Sequence, residues 1–98
     1  MTGSARSSAD LDPRRRRILF RAWHRGTREM DLLMGRFADA RIGSLDEAEL
    51  DVFEALIEVP DRDLFAWLTD AAPVPENYDT PLYRSVKAFH THQGPIHV

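Results

Sequence analysis

The sequence contains no cysteine. Disulfide bonds, a thiolate nucleophile and a thiolate metal site are therefore excluded for this chain. No apolar run approaches the ~20 residues that a membrane-spanning helix needs, and the first ten residues lack the apolar segment of a secretory signal. We therefore expect a soluble, cytoplasmic protein with no membrane insertion.

Lysine is nearly absent as well, since twelve of the 13 basic residues are arginine. The net charge is only -3, but it is unevenly distributed. Residues 1–41 carry ten arginines against five acidic residues, whereas residues 42–98 carry three basic residues against eleven acidic ones. Arginine suits planar, bidentate contact with carboxylates and phosphates. The distribution therefore predicts an electric dipole. The preference for arginine fits an interface on the basic half, and a genome rich in arginine codons explains it equally well.

The size of the chain limits what it can build. Its 98 residues, of which 43% are hydrophobic, suffice for one domain with a modest core and leave little room for a deep substrate pocket. No stretch shows sustained alternation of apolar and polar residues, so no strands are expected. The predicted fold class is all-α.

Two apolar patterns with helical spacing meet near Gly26. Asp12-Pro13 is typical of a helix start. The first apolar stripe is Ile18, Leu19, Ala22 and Trp23, and the second is Met30, Leu33, Met34 and Phe37. One bent helix is an alternative, but a glycine inside a helix costs about 1 kcal/mol relative to alanine. A break at Gly26 is therefore favoured, with the second helix ending between residues 39 and 43.

Three further helices follow from start signals and apolar spacing. Ser44 and Glu47 form a capping-box pattern before a helix that ends at Pro60, Asp61 is expected to cap a short fourth helix, and Thr80-Pro81 opens the last. Residues 70–79 are predicted to be a loop. The buried face of the third helix is expected to consist of Leu50, Phe53, Leu56 and Ile57. The short fourth helix holds Leu64, Phe65, Trp67 and Leu68, and the apolar stripe of the last consists of Leu82, Val86 and Phe89. The prediction is a five-helix bundle over residues 12–90, with a disordered lead-in (1–11) and a mobile tail (91–98).

Catalytic and metal-binding constellations are not recognisable. The serines lie in the lead-in, at a helix cap or on a helix, so none is a good nucleophile. A histidine pair in the tail, His90 and His92, is more typical of a solvated tail than of a metal site. Glu29 and Asp31 are two apart on a predicted helix and face different sides. We expect no catalytic residue and no metal.

A nucleic-acid-binding or antitoxin-like regulatory protein is an alternative hypothesis. The run Arg14 to Arg17, together with Arg21, could neutralise phosphates along one helix. The isoelectric point near 5.7 and the acidic second half count against it, and a solvated basic face is the simpler interpretation.

The segment from Trp23 to Asp31 is the strongest candidate site. Gly26 permits a tight turn and close approach of another surface, and an ion pair between Arg25 and Glu29 would have the less favourable orientation on a helix. Charged side chains around a glycine are better explained as a docking face for another protein. Its expected partner-binding residues are Arg21, Arg25, Gly26, Arg28, Glu29 and Asp31.

This segment also resembles a known motif. Arg25-Gly26-Thr27-Arg28-Glu29 resembles the Arg-Gly-x-x-Glu motif of the succinate dehydrogenase assembly factors, the SdhE-type FAD assembly (flavinylation) family. The run 61–68 looks like the second block of that family, and Gly94-Pro95 like its C-terminal turn. The likeness extends from Arg17 to Ile96.

The resemblance implies a five-helix bundle that binds the flavoprotein subunit of succinate dehydrogenase, and in bacteria often that of fumarate reductase. It implies that the protein promotes covalent attachment of FAD to a flavoprotein histidine as a chaperone-like factor, not an enzyme, with FAD held by the partner and no cofactor bound stably by the chain. Arg25, Gly26 and Glu29 would form the docking motif, and Leu64, Phe65 and Leu68 would pack beneath it. Replacing Gly26 with a bulky residue, or Glu29 with alanine, should abolish flavinylation without loss of helix. We expect a monomer in the bacterial cytoplasm.

Overall fold

The computed structural model describes residues 10–92, with side chains as far as Phe89. This part of the chain forms five α-helices and no strand, which confirms the predicted fold class. The helices are α1 (Pro13–Trp23), α2 (Arg28–Arg41), α3 (Glu47–Ile57), α4 (Asp61–Leu68) and α5 (Pro81–His92), with a 3-10 turn at Glu76–Tyr78 in the loop before α5.

The predicted break between the first two helices is confirmed. α1 ends at Trp23, and Gly26 adopts a φ of +128°, a backbone conformation that residues other than glycine rarely adopt. Thr27 then caps α2, because its hydroxyl oxygen accepts a hydrogen bond from the Met30 amide. The chain therefore reverses direction at a glycine corner and does not continue as one bent helix.

A second glycine sets how closely α1 and α2 approach. Gly35 lies in the middle of α2, and the indole of Trp23 occupies the space that a side chain would need: a Cβ built on Gly35 would come within 2.7 Å of three indole carbons. The indole Nε1 donates to Asp39 Oδ1 at 3.1 Å. Trp23 is therefore fixed against α2, and the end of α1 with it.

The apolar stripes predicted for α1, α2 and α3 are all buried. The Phe37 ring lies within 5.5 Å of Phe53 and 5.8 Å of Phe89, measured between centroids, so side chains of α2, α3 and α5 meet at the centre of the core. On the α5 side, Leu82 and Val86 are buried as predicted, and Thr80 caps the helix by accepting from the Tyr83 amide. Tyr83 is also buried, which the apolar spacing did not predict.

The predicted capping box at the start of α3 was placed two residues too early. Asp46 is the N-cap, since its carboxylate accepts from the Glu49 amide at 2.8 Å while Glu49 accepts from the Asp46 amide at 3.0 Å. Both Leu45 and Leu50 are buried, at the two positions of a hydrophobic staple. Burial of Leu45 before the cap decides between the two overlapping patterns, and the Ser44 hydroxyl instead donates to the Arg41 carbonyl.

Three other boundaries differ from the prediction. Leu11, assigned to a disordered lead-in, is buried, and its carbonyl accepts from Arg16. Pro60 is the N-cap of α4 and Asp61 its first residue, so Asp61 does not cap the helix. α5 continues to His92, past the predicted start of the tail at residue 91. Residues 1–9 and 93–98, including Gly94-Pro95, lie outside the described residues.

Candidate docking site

The side chain of Arg25, one of the predicted partner contacts, is held by contacts within the chain. Its side chain is only 6% exposed. Nε and Nη2 each lie 2.8 Å from Asp61 Oδ1, Nη2 also donates to the Val59 carbonyl at 2.7 Å, and Nη1 donates to the Ile57 carbonyl. The guanidinium group therefore joins the end of α1 to the connection between α3 and α4, and each of its three nitrogens makes at least one contact within the chain.

The chemistry of the site explains why arginine is needed. A buried charge requires an opposite charge and hydrogen bonds to the rest of its donors. The planar fork of arginine can serve Asp61 and two carbonyl oxygens at once, whereas a lysine offers one point charge. The carbonyl of Ile57, at the end of α3, is also at the negative end of that helix. We call the group formed by Arg25, Ile57, Val59 and Asp61 the arginine clamp.

Gly26 and Asp31 shape the corner that leads into α2. Asp31 Oδ1 accepts from the Arg25 amide at 2.6 Å, so this carboxylate, also predicted to bind a partner, holds the turn. A Cβ on Gly26 would lie 3.5 Å from Asp61 Oδ2, an ordinary contact, but the φ of +128° would strain any such residue. The backbone conformation at this position therefore favours glycine, and glycine also leaves the surface there without a side chain.

Glu29 and Arg28, in the first turn of α2, are the predicted residues whose charges remain available. Glu29 is partly exposed and Arg28 exposed, and neither side chain has a hydrogen bond or ion pair within residues 10–92. The intrahelical pair between Arg25 and Glu29 does not form, because Arg25 precedes the helix and pairs with Asp61. A carboxylate in the first turn is favoured by the helix dipole, which explains how Glu29 can stay unpaired.

An open cleft of about 380 Å³ lies beside the clamp. It is lined by Arg21, His24, Arg25, Ile57, Val59, Pro60 and Asp61. Arg21, the last predicted docking residue, forms an exposed ion pair with Glu58, and Arg25 pairs with Asp61. Both arginines of the cleft are thus neutralised by carboxylates of the same chain, so the cleft is a poor site for a phosphate group.

The basic run of α1 is also used internally, against the nucleic-acid hypothesis. Arg14 contacts three carboxylates on α3 at 2.6 to 2.8 Å, and the hydrogen bonds to Glu54 and Asp51 raise its pKa above the usual value. Arg15 donates to the carbonyls of Ile42 and Leu45, at 3.0 and 2.5 Å. Only Arg17 in this run is without such a contact in the described part of the chain. The basic helix holds the bundle together and offers few charges to a polyanion.

Two site features escaped the sequence analysis. Asp61 was assigned to a helix cap, although it is the counter-ion of Arg25, 36 positions earlier in the chain. Phe65 was expected in the core with Leu64 and Leu68; both leucines are buried, but Phe65 is 39% exposed. Leucines four apart already fill the buried stripe of this short helix, so its neighbour Phe65 points outward. The burial of Phe65 that the family resemblance implied is therefore wrong, whereas that of Leu64 and Leu68 is confirmed.

Comparison with known proteins identifies similar chains. Residues 16–90 match the family model Sdh5, flavinator of succinate dehydrogenase. A FAD assembly factor SdhE of Acetobacter pasteurianus is 44% identical over 75 residues, covering 76% of this chain and 69% of that protein. A mitochondrial succinate dehydrogenase assembly factor 2 of Dictyostelium discoideum is 33% identical, covering 90% of this chain and 62% of that protein. The corresponding protein of Danio rerio is 33% identical, covering 86% and 54%.

The matched segment thus spans between about half and two thirds of these relatives. No solved structure matches the chain. No helix within residues 10–92 has the length and apolar character needed to cross a membrane.

Proposed function

The chain belongs to the family of flavinators of succinate dehydrogenase, and we propose that it acts as an assembly factor for that enzyme. It binds the flavoprotein subunit and promotes covalent attachment of FAD to it. The proposal rests on a family match that covers residues 16–90, which includes the Arg25-Gly26-x-x-Glu29 corner, α4 and most of the last helix.

The docking role is inferred from the different contacts that the residues of the motif make. Arg25 pairs with Asp61 in the arginine clamp, and Gly26 is needed for the turn. The nearby Glu29 carboxylate is partly exposed and has no partner among the described residues. The clamp fixes this carboxylate relative to α4, because the ion pair joins Arg25, just before α2, to Asp61, the first residue of α4. Glu29 is therefore the motif residue that we assign to direct contact with the flavoprotein, together with Arg28.

The factor itself supplies binding and no reactive group. FAD supplies an electrophilic ring, and the flavoprotein supplies the histidine that becomes attached to it. A binding protein can favour the arrangement in which these groups meet only by binding it more tightly than the competing arrangement. A shift from 1:99 to 99:1 requires about a 10⁴-fold difference in affinity, or roughly 5.5 kcal/mol. A rigid corner held by the clamp is suited to such discrimination, since it cannot adapt to both arrangements.

The test is reconstitution of flavinylation with Glu29→Ala and Glu29→Gln variants. Both should support less covalent flavin on the flavoprotein subunit, measured as flavin fluorescence after denaturing electrophoresis, with unchanged thermal unfolding. Arg36→Ala is the matched control, because Arg36 is exposed on the same helix and also has no partner within residues 10–92. Glu29 variants that sustain flavinylation as well as the parent chain would contradict the assigned contact.

Gly26 is a less suitable position for this test than the sequence suggested. A side chain at φ +128° costs on the order of 1–3 kcal/mol in backbone strain, so loss of activity could reflect a displaced corner. A Gly26 variant tests the whole corner, whereas a Glu29 variant tests one carboxylate.

The proposal has four finer parts. The chain acts as a monomer in the bacterial cytoplasm, is an accessory factor with no catalytic residue, leaves FAD bound to its partner, and also serves the flavoprotein of fumarate reductase. The bacterial relative is named a FAD assembly factor, which supports an accessory role. Parallel flavinylation assays with the two flavoproteins test the client range, and sedimentation velocity tests the monomeric state.

A further inference from the structure

Two large apolar side chains are exposed in the described part of the chain, Phe20 at 62% and Phe65 at 39%. Each lies on the side of its helix away from the core. On α1 the buried residues include Ile18 and Trp23, and on α4 the buried residue next to Phe65 is Leu64. Neither phenylalanine is therefore accounted for by packing of the bundle.

Each side chain is on a helix that contributes a residue to the lining of the cleft beside the arginine clamp. The Phe20 ring stacks on the His24 ring with centroids 3.8 Å apart and planes inclined by 15°, and His24 lines the cleft. Asp61 also lines the cleft, and Phe65 follows it by four residues on α4, which places the two on the same helical face. Phe20 thus contacts a residue of the cleft lining, and Phe65 lies one helical turn after another.

Each exposed phenylalanine has an unpaired arginine three residues before it. Arg17 precedes Phe20 on α1 and Arg62 precedes Phe65 on α4, a spacing that puts both members of each pair on one face. Neither arginine has a hydrogen bond or ion pair to a described residue. By contrast Arg21, within the cleft, is matched by Glu58. The arginines that line the cleft are thus paired internally, whereas Arg17 and Arg62, next to the exposed phenylalanines on α1 and α4, are not.

We propose that the surface formed by Arg17, Phe20, His24, Arg62 and Phe65 binds a segment of the flavoprotein subunit that presents apolar side chains flanked by carboxylates. The inference rests on the proposed function and names the chemistry of the partner segment. Apolar side chains of the partner would enter the cleft between the two rings, while its carboxylates would meet Arg17 and Arg62. A polyphosphate does not fit this surface as well, since it would leave both rings in water.

The energetics of interfaces give distinct expectations for the two residue types. Aromatic side chains that become buried at the centre of an interface are typical hot spots, and their truncation to alanine weakens binding by about tenfold or more. Charges at the rim mainly steer association, so their reversal lowers the association rate and alters its dependence on salt. Phe20 and Phe65 should therefore affect the dissociation rate, and Arg17 and Arg62 the association rate.

The experiment measures binding of the purified chain to the FAD-loaded flavoprotein subunit of succinate dehydrogenase by biolayer interferometry. Phe20→Ala and Phe65→Ala should each raise Kd about tenfold or more, whereas Phe20→Leu, which keeps an apolar side chain, should raise it less. Arg17→Glu and Arg62→Glu should slow association. Arg36→Glu is the control for charge reversal and should leave Kd within about twofold. All variants alter exposed side chains, and thermal unfolding verifies that each is folded.

The outcomes separate this inference from the proposed function. If both Phe→Ala variants bind as the parent does while Glu29→Ala loses binding, the proposed function stands and the surface is wrongly assigned. If the parent chain does not bind the flavoprotein, both fail. If the parent is a dimer that Phe20→Ala or Phe65→Ala converts to a monomer in sedimentation velocity, the surface binds a second copy and the inference is overturned.

Discussion

Replacing Arg25 with alanine should destabilise the fold severely, although Arg25 belongs to a motif expected to contact a partner. The substitution leaves the Asp61 carboxylate, 23% exposed, without its counter-ion and removes the donors to two carbonyls of the α3–α4 connection. Removal of one partner of a buried ion pair costs about 3–5 kcal/mol. The access of water to the cleft beside Asp61 favours the lower end of that range, about 3 kcal/mol.

That loss is large for a domain of this size. One kcal/mol shifts the midpoint of thermal unfolding by about 4–8 °C in a domain of 60–100 residues, so Arg25→Ala should lower Tm by roughly 12–24 °C. Arg28→Ala, which removes an exposed arginine of the same motif, should change the stability by less than about 0.5 kcal/mol. Thermal unfolding followed by far-ultraviolet circular dichroism measures both, and urea denaturation gives the free energies.

A double-mutant cycle isolates the pair itself. Asp61→Ala alone leaves the guanidinium buried without its carboxylate, whereas the double variant removes both charges. The cost of the double variant should therefore be smaller than the sum of the two single costs. If Arg25→Ala has the Tm of the parent chain but no longer binds the flavoprotein, Arg25 is a partner contact and our account of the clamp is wrong.

Three further predictions concern the scaffold. Gly35→Ala should destabilise the protein, because the new Cβ would displace the Trp23 indole. Alanine normally stabilises a helix interior relative to glycine by about 1 kcal/mol. Chemical denaturation shows whether the free energy of unfolding falls or rises, and a rise would refute the proposed contact. Tyr83→Phe should be neutral or stabilising at neutral pH, since the buried hydroxyl has no partner among the described residues. Burial raises the pKa of Tyr83 in the folded chain. The free energy of unfolding of the parent should therefore be unaffected by this group below the normal pKa of about 10 and should fall as pH rises above it. The phenylalanine variant should resist alkaline unfolding better, and identical alkaline transitions of the two proteins would contradict this. Asp46→Ala should cost about 1 kcal/mol through loss of the cap and Ser44→Ala less, as measured by urea unfolding; the reverse order would restore the cap predicted from the sequence.

The helical architecture could be predicted because its determinants are local. The periodic apolar residues of α1 to α3, the Pro and Thr signals at helix starts and the glycine at the corner act over a few residues, and all lie in the sequence within reach of one another. Where two local signals overlapped, as at Ser44 and Asp46, the choice depended on whether Leu45 enters the core. That choice requires the neighbouring helices.

The roles within the docking motif could not be predicted from the sequence. Arg25 and Asp61 lie 36 positions apart, and nothing in the spacing of either segment marks them as partners. Within segment 23–31 the sequence does not distinguish charged residues that contact a partner from those that contact the same chain. The structure divides them: Arg25 and Asp31 are engaged within the chain, and Arg28 and Glu29 face outward.

The sequence by itself determined the number of helices, most of their buried faces and the family motif, because periodicity, capping and short motifs are properties of adjacent residues. Tertiary structure decided which charges are available to a partner, because a charge is neutralised by whatever carboxylate or carbonyl the fold brings within about 3 Å. It also decided that Phe20 and Phe65 are exposed, because other residues fill the core-facing sides of α1 and α4.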